Sequence, residues 1–133
     1  MKNSLLYCIL AISIFLSTNC ISQEWVISNT DLYIGNGESL RIGGTLEKEG
    51  NSSILNNGNI LITGNNSGFV NNSSTQHING TGLFVFSSNS SQRIGGTTQT
   101  FFPNVTIENS SNEGISLDNN MFVNNTLSLK DGI

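Results

Sequence analysis

The chain reads as an all-β protein, a parallel (right-handed) β-helix of about four to five short coils. Three observations carry that reading. About half of the 133 residues are Asn, Ser, Thr or Gly, including 21 Asn and 14 Gly, while there is a single Ala, Ala11. Apolar residues recur with period two in brief runs. Asn-Gly turns return after 21 and 22 residues, at Asn36-Gly37, Asn57-Gly58 and Asn79-Gly80.

The first element is an address. Lys2 supplies a positive start, and Leu5 to Leu16 is an apolar stretch interrupted only by Ser13. It is too short for a membrane span, which needs about 20 apolar residues, and it fits the core of a secretory signal peptide. Residues 1–22 are therefore expected to be removed before Gln23, with Cys20 and Ser22 as the small residues of the cleavage site. Cys20 also admits a lipoprotein reading, which the preceding Asn19 fits poorly. Cys8 lies within the leader, so the mature chain keeps no thiol and no disulfide. The expected mature domain, 23–133, carries no membrane span.

The strands follow in order. Leu40/Ile42, Ile60/Ile62, Leu83/Val85, Val105/Ile107, Ile115/Leu117 and Leu127/Leu129 alternate as half-buried strands do. β-branched and aromatic residues dominate them, as a pleated surface prefers. The Asn, Ser and Gly clusters between them tolerate left-handed backbone and form local turns. Each Asn-Gly pair is followed by an alternating segment, at Ser39–Ile42, Asn59–Thr63 and Gly82–Ser87. Stacked coils about 4.8 Å apart let each strand pair above and below, and the turns can stack Asn amides. The expected coils are 38–58, 59–80, a long 81–114, and 115–132, after a partial first coil. Pro103 removes a ladder donor and marks a loop or strand start. Longer echoes look like an internal repeat: Arg41-Ile-Gly-Gly-Thr45 returns at Arg93–Thr97, and Phe69-Val-Asn-Asn72 at Phe122–Asn125. An antiparallel sandwich would need tight turns every 8–12 residues, about half the observed interval.

Residues that could carry chemistry are sparse. His77 is the one histidine, without a Cys partner for a zinc site, and it reads as a solvent-facing turn residue. No Gly-x-Ser-x-Gly elbow exists. Glu47, Glu49, Glu108, Glu113 and Asp118 are the carboxylates available to a glycoside-cleaving pair, and Arg41 and Arg93 are the basic options, each beside a Gly-Gly turn. Gly43-Gly44 and Gly95-Gly96 lack the Asp of a calcium-binding repeat. Asn-x-Ser/Thr triplets, as at Asn79, Asn104 and Asn125, follow from composition. No catalytic, cofactor or metal residue is assigned, no cofactor is expected, and five basic residues at a net charge of −4 argue against a nucleic-acid partner.

From Ile94, the run Ile-Gly-Gly-Thr-Thr-Gln-Thr-Phe-Phe-Pro-Asn-Val-Thr-Ile-Glu-Asn, then Gly-Ile-Ser-Leu and Phe-Val-Asn-Asn-Thr-Leu-Ser-Leu, resembles a known pattern. It is similar to the β-helical repeat regions of large secreted surface proteins of Bacteroidetes-type bacteria. The resemblance implies an adhesin-like protein exported by the type IX route. It covers about forty residues well and the preceding sixty loosely. The sorting domain common in that family does not follow Asp131-Gly132-Ile133, so the chain is expected to be the N-terminal part of a longer protein, with an open C-terminal edge.

Together these readings predict a secreted or cell-surface structural and adhesive module with no catalysis of its own, whose partners are surface glycans or other extracellular polymers. The alternative is a carbohydrate-active, polysaccharide lyase-like β-helix enzyme or a glycan-binding module. A groove with convergent carboxylates and Arg would favour the enzyme, and a neutral Asn/Ser/Thr face the adhesive module.

Overall fold

A computed structural model describes residues 24–131, and the expected signal peptide lies outside the described residues. Twelve strands follow one another: β1 (Trp25–Ser28), β2 (Asp31–Ile34), β3 (Ser39–Ile42), β4 (Leu46–Gly50), β5 (Ser53–Asn56), β6 (Asn59–Ile62), β7 (Gly68–Ser73), β8 (Leu83–Ser88), β9 (Gln92–Gly95), β10 (Thr100–Asn109), β11 (Ile115–Leu117) and β12 (Met121–Asp131). Every strand pair is parallel. The chain is a parallel β-helix of five coils with three faces.

The first face is β1-β4-β7-β9-β11 and the third is β3-β6-β8-β10-β12. The second begins with β2-β5 and continues through single bridges, Leu55 to Asn79 and His77 to Phe101. The opening residues of β10 and β12 complete it, Thr100–Phe102 pairing with Met121–Val123. Pro103 is the corner. The β10–β12 register breaks between Phe102 and Asn104, and the same strand then joins the third face.

Stacking is in register. Trp25, Leu46, Phe69, Ile94 and Leu117 form one column of the first face. Within the stack, Leu46, Phe69 and Ile94 are buried, as are Ile54, Ile78 and Phe102 of the second face. The third face contributes Ile60/Ile62, Phe84/Phe86 and Val105. Each face sends a phenylalanine to the centre. Phe102 lies edge-on to Phe69, Phe84 and Phe86 at centroid distances of 5.2, 4.9 and 6.2 Å, a geometry that aligns ring edges with ring faces.

Several expectations are corrected. Leu83 and Val85 point outward, and Phe84 and Phe86 face the core. Leu-Phe-Val-Phe is apolar on both sides, so alternation alone leaves its phase open. The 81–114 segment is not one long coil: it holds the last strand of the third coil and all of the fourth. The echoed strings are not equivalent positions. Arg41-Ile42 ends β3 on the third face, whereas Arg93-Ile94 lies in β9 on the first. Phe69 is on the first face and Phe122 on the second. Each echo advances two coils and one further face, so the strings repeat a local strand-to-corner device rather than the coil.

The three Asn-Gly pairs do occupy one corner, between the second and third faces. Gly80 there has φ +102, and a Cβ would lie 2.1 Å from the Asn56 carbonyl oxygen, so only glycine fits. Buried asparagines do not stack in a column as expected. Asn71, Asn56 and Asn109 each serve a different corner. Their Oδ1 atoms accept from the backbone N–H two residues on, at Ser73, Gly58 and Ser111. Their Nδ2 groups donate to neighbouring coils, at Gln99 O, Leu83 O and Ser90 O. One amide thus satisfies backbone on both sides of a buried corner.

At the C-terminal end, Leu117, Leu127 and Leu129 are 55%, 47% and 47% exposed, and no described strand pairs beyond β11 or β12. Among the described residues no helix is long and apolar enough to cross a membrane.

Candidate functional site

The outward side of the second face changes character along the axis. Asp31 and Ser53 stand at its start, joined by Ser53 Oγ donating to Asp31 Oδ1 at 2.6 Å. His77, Phe101 and Phe122 continue the same line. The His77 ring lies 4.7 Å from Phe101, and Phe101 lies 4.5 Å from Phe122 with ring planes 10° apart. The rings stack along the axis, so the column presents mainly edges to solvent, and ring faces are free only at its ends.

Below His77 the column steps down to Ser53, a small side chain. The step leaves an open recess of about 480 Å³ lined by Ser53, Ser74, Thr75, Gln76, His77 and Asn79. A hydroxyl, amide and imidazole lining of this kind offers directional hydrogen bonds to a neutral polar ligand. Asn79 is held firmly: its N–H donates to Ile54 O and its carbonyl accepts from Asn56 N, both at 2.9 Å. His77, read from sequence as a solvent-facing turn residue, is exposed and bridged to Phe101.

Behind the recess lies Lys48, whose side chain points into the coil and is fully buried. Its Nζ donates to Ser73 Oγ, Thr75 Oγ1 and, at 2.9 Å, Thr75 O. All three acceptors are neutral. Burial lowers its pKa below the usual lysine value, because desolvation penalises the charged form. By composition alone Glu47-Lys48-Glu49, three charges before Gly50, would form a solvated turn. The segment is instead strand β4, with Lys48 inside. The alternation of charge at Glu47, Lys48 and Glu49 was the available signal, since a strand sends the middle residue to the opposite side.

The other candidates lie apart. Arg93 pairs with Asp118 at 3.3 Å on the first face. Arg41 Nε donates to Thr63 Oγ1 on the third-face side. Lys130 pairs with Glu108 at 2.6 Å on the third face. Glu47 accepts from Asn72 Nδ2 on the first face, Glu49 caps β4 through its carbonyl to Ser52, and Glu113 lies in the corner before β11. The carboxylates are thus spread over different faces. Asn104, within one of the Asn-x-Ser/Thr triplets, donates to Thr81 O and Gly82 O. Among the described residues no group of three or more His, Cys, Asp or Glu is placed to hold a metal ion.

A second recess, of about 280 Å³, opens on the first face beside Thr45, Gly68, Arg93 and Ser116. Gly68 at its edge lets two coils approach closely, since a Cβ there would lie 1.8 Å from the Arg93 carbonyl oxygen. Its one cation is already engaged by Asp118. Comparison with protein-family models, curated proteins and solved structures found no match to this chain.

Proposed function

We propose that the protein is a secreted or cell-surface β-helix module with a structural and adhesive role, which contacts neutral carbohydrate through the recess beneath His77. The recess itself carries this reading. It places the free side of an imidazole ring next to the side chains of Ser53, Gln76 and Asn79, and those groups suit the mixed apolar and hydroxyl surface of a sugar ring. A rigid five-coil stack presents this site without ordering cost at the backbone. Export through a leader at residues 1–22 and a place at the outer surface of a Bacteroidetes-type cell belong to the same proposal.

A single shallow site of this size binds weakly, with Kd of about 1 mM, and adhesion then depends on many copies acting together. Titrating the 23–133 chain with a panel of neutral oligosaccharides, followed by NMR shifts or calorimetry, tests the reading. Binding that His77→Ala and Asn79→Ala each weaken about tenfold supports it. Binding untouched by both substitutions, or none across the panel, rejects it. Release of unsaturated sugars from a polymer would replace it with the lyase reading.

A further inference from the structure

Lys48 and Asn71 are direct partners across β4 and β7, and both side chains are fully buried. Two oxygens link their functional groups. Ser73 Oγ accepts from Lys48 Nζ and donates to Asn71 Oδ1 at 2.7 Å. The Thr75 carbonyl accepts from Lys48 Nζ at 2.9 Å and from Asn71 Nδ2 at 3.1 Å. The Asn71 carboxamide oxygen also receives the Ser73 N–H at 3.2 Å. A buried amine therefore sits beside a carboxamide whose oxygen already holds two donors, where negative charge would develop on addition to the carbon.

We propose that Lys48 and Asn71 join in an intramolecular isopeptide cross-link that ties the second coil to the third. The free amine adds to Asn71 Cγ. The Nζ–Cγ bond forms and the Cγ–Nδ2 bond breaks. One amine proton ends on the departing nitrogen, which leaves as ammonia, so no oxidant or other reactant is needed. Ser73 bridges amine and carboxamide oxygen and stabilises the tetrahedral intermediate, in the position an acid catalyst would take. The described ion pairs are Arg93–Asp118 and Lys130–Glu108, and neither involves Lys48. The three neutral acceptors hold the ammonium, and desolvation without a counter-charge eases its loss of a proton to give the nucleophilic amine. The bond would close one full coil into a covalent ring and block unwinding past it.

Mass spectrometry of the 23–133 chain decides. The cross-linked chain is lighter than its sequence by about 17 Da, one ammonia. Trypsin cannot cut at a substituted Lys48, so the cross-link yields a single Ile42–Arg93 peptide carrying that loss. A cyclised Asn-Gly pair loses the same mass yet leaves Lys48 cleavable, so the missed cleavage separates the two. In Lys48→Met the Ile42–Arg93 peptide has its full mass if the proposal holds. Separate Ile42–Lys48 and Glu49–Arg93 peptides from the unsubstituted chain, or an Ile42–Arg93 peptide of Lys48→Met that carries the loss with Asn57-Gly58 and Asn79-Gly80 intact, would overturn it.

Discussion

The first and third faces of the coil solve the same packing problem with different materials. The third face is built on paired apolar columns, Ile60/Ile62 below Phe84/Phe86 below Val105/Ile107, and its last two strands, β10 and β12, run on from the second face without a break. The first face mixes the apolar column of Leu46, Phe69 and Ile94 with buried Lys48, Asn71 and Gln92. Each of those polar groups is bonded. Gln92 Nε2 donates to Ile62 O and Ser67 Oγ, and its Oε1 accepts from Asn109 Nδ2. Among the described residues no buried side-chain N or O lacks a partner. Stacked coils therefore tolerate a polar interior where corners supply acceptors, and the cost appears only when one member is removed.

Substitutions can break that contrast in order of size. Phe102→Ala should cost most, about 3–5 kcal/mol, because it empties the centre shared by Phe69, Phe84 and Phe86. Chemical denaturation measures it. Gly68→Ala should destabilise by about 1–3 kcal/mol or fail to fold, since its Cβ meets the Arg93 carbonyl, whereas Gly43→Ala, with open space around it, should be mild. Asn109→Ala should cost about 1–3 kcal/mol by stranding Gln92 Oε1 and the Ser111 N–H. If it proves neutral, the polar side of the comparison is wrong. Leu127→Ala should cost visibly less than Val105→Ala, its neighbour in the column, because Leu127 is 47% exposed and Val105 is buried. Asp118→Asn should change stability by no more than about 1 kcal/mol, as both members of its ion pair are about half exposed.

Third-face strands were legible from sequence because alternation over four or more residues marks a strand; the inward phase came with it at Ile60/Ile62 but not at Leu83–Phe86, which is apolar on both sides. On the first face only Ile115/Leu117 was legible. β4 reads Leu-Glu-Lys-Glu-Gly and β9 reads Gln-Arg-Ile-Gly, and neither carries an apolar pattern long enough to register. The expected coils 38–58, 59–80 and 115–132 each span one full turn, and only 81–114 takes in an extra strand. The Asn-Gly corner was readable because its chemistry is local. The corner at Pro103 was seen as an interruption but not as a turn within one strand. His77 was visible as the lone histidine, yet its aromatic column was hidden, because His77, Phe101 and Phe122 become neighbours only through stacking.

The second-to-third corner is four residues long after β2, two after β5 and a single proline within β10, while the columns on either side stay in register. Coil length is thus a closure condition and not a clock. Residues can be gained or lost at that corner through descent without disturbing the core, whereas one residue inserted just before Ile60 would turn Ile60 and Ile62 toward water. A lineage of such chains would drift in spacing faster than in structure, leaving short strings alike and long alignments poor.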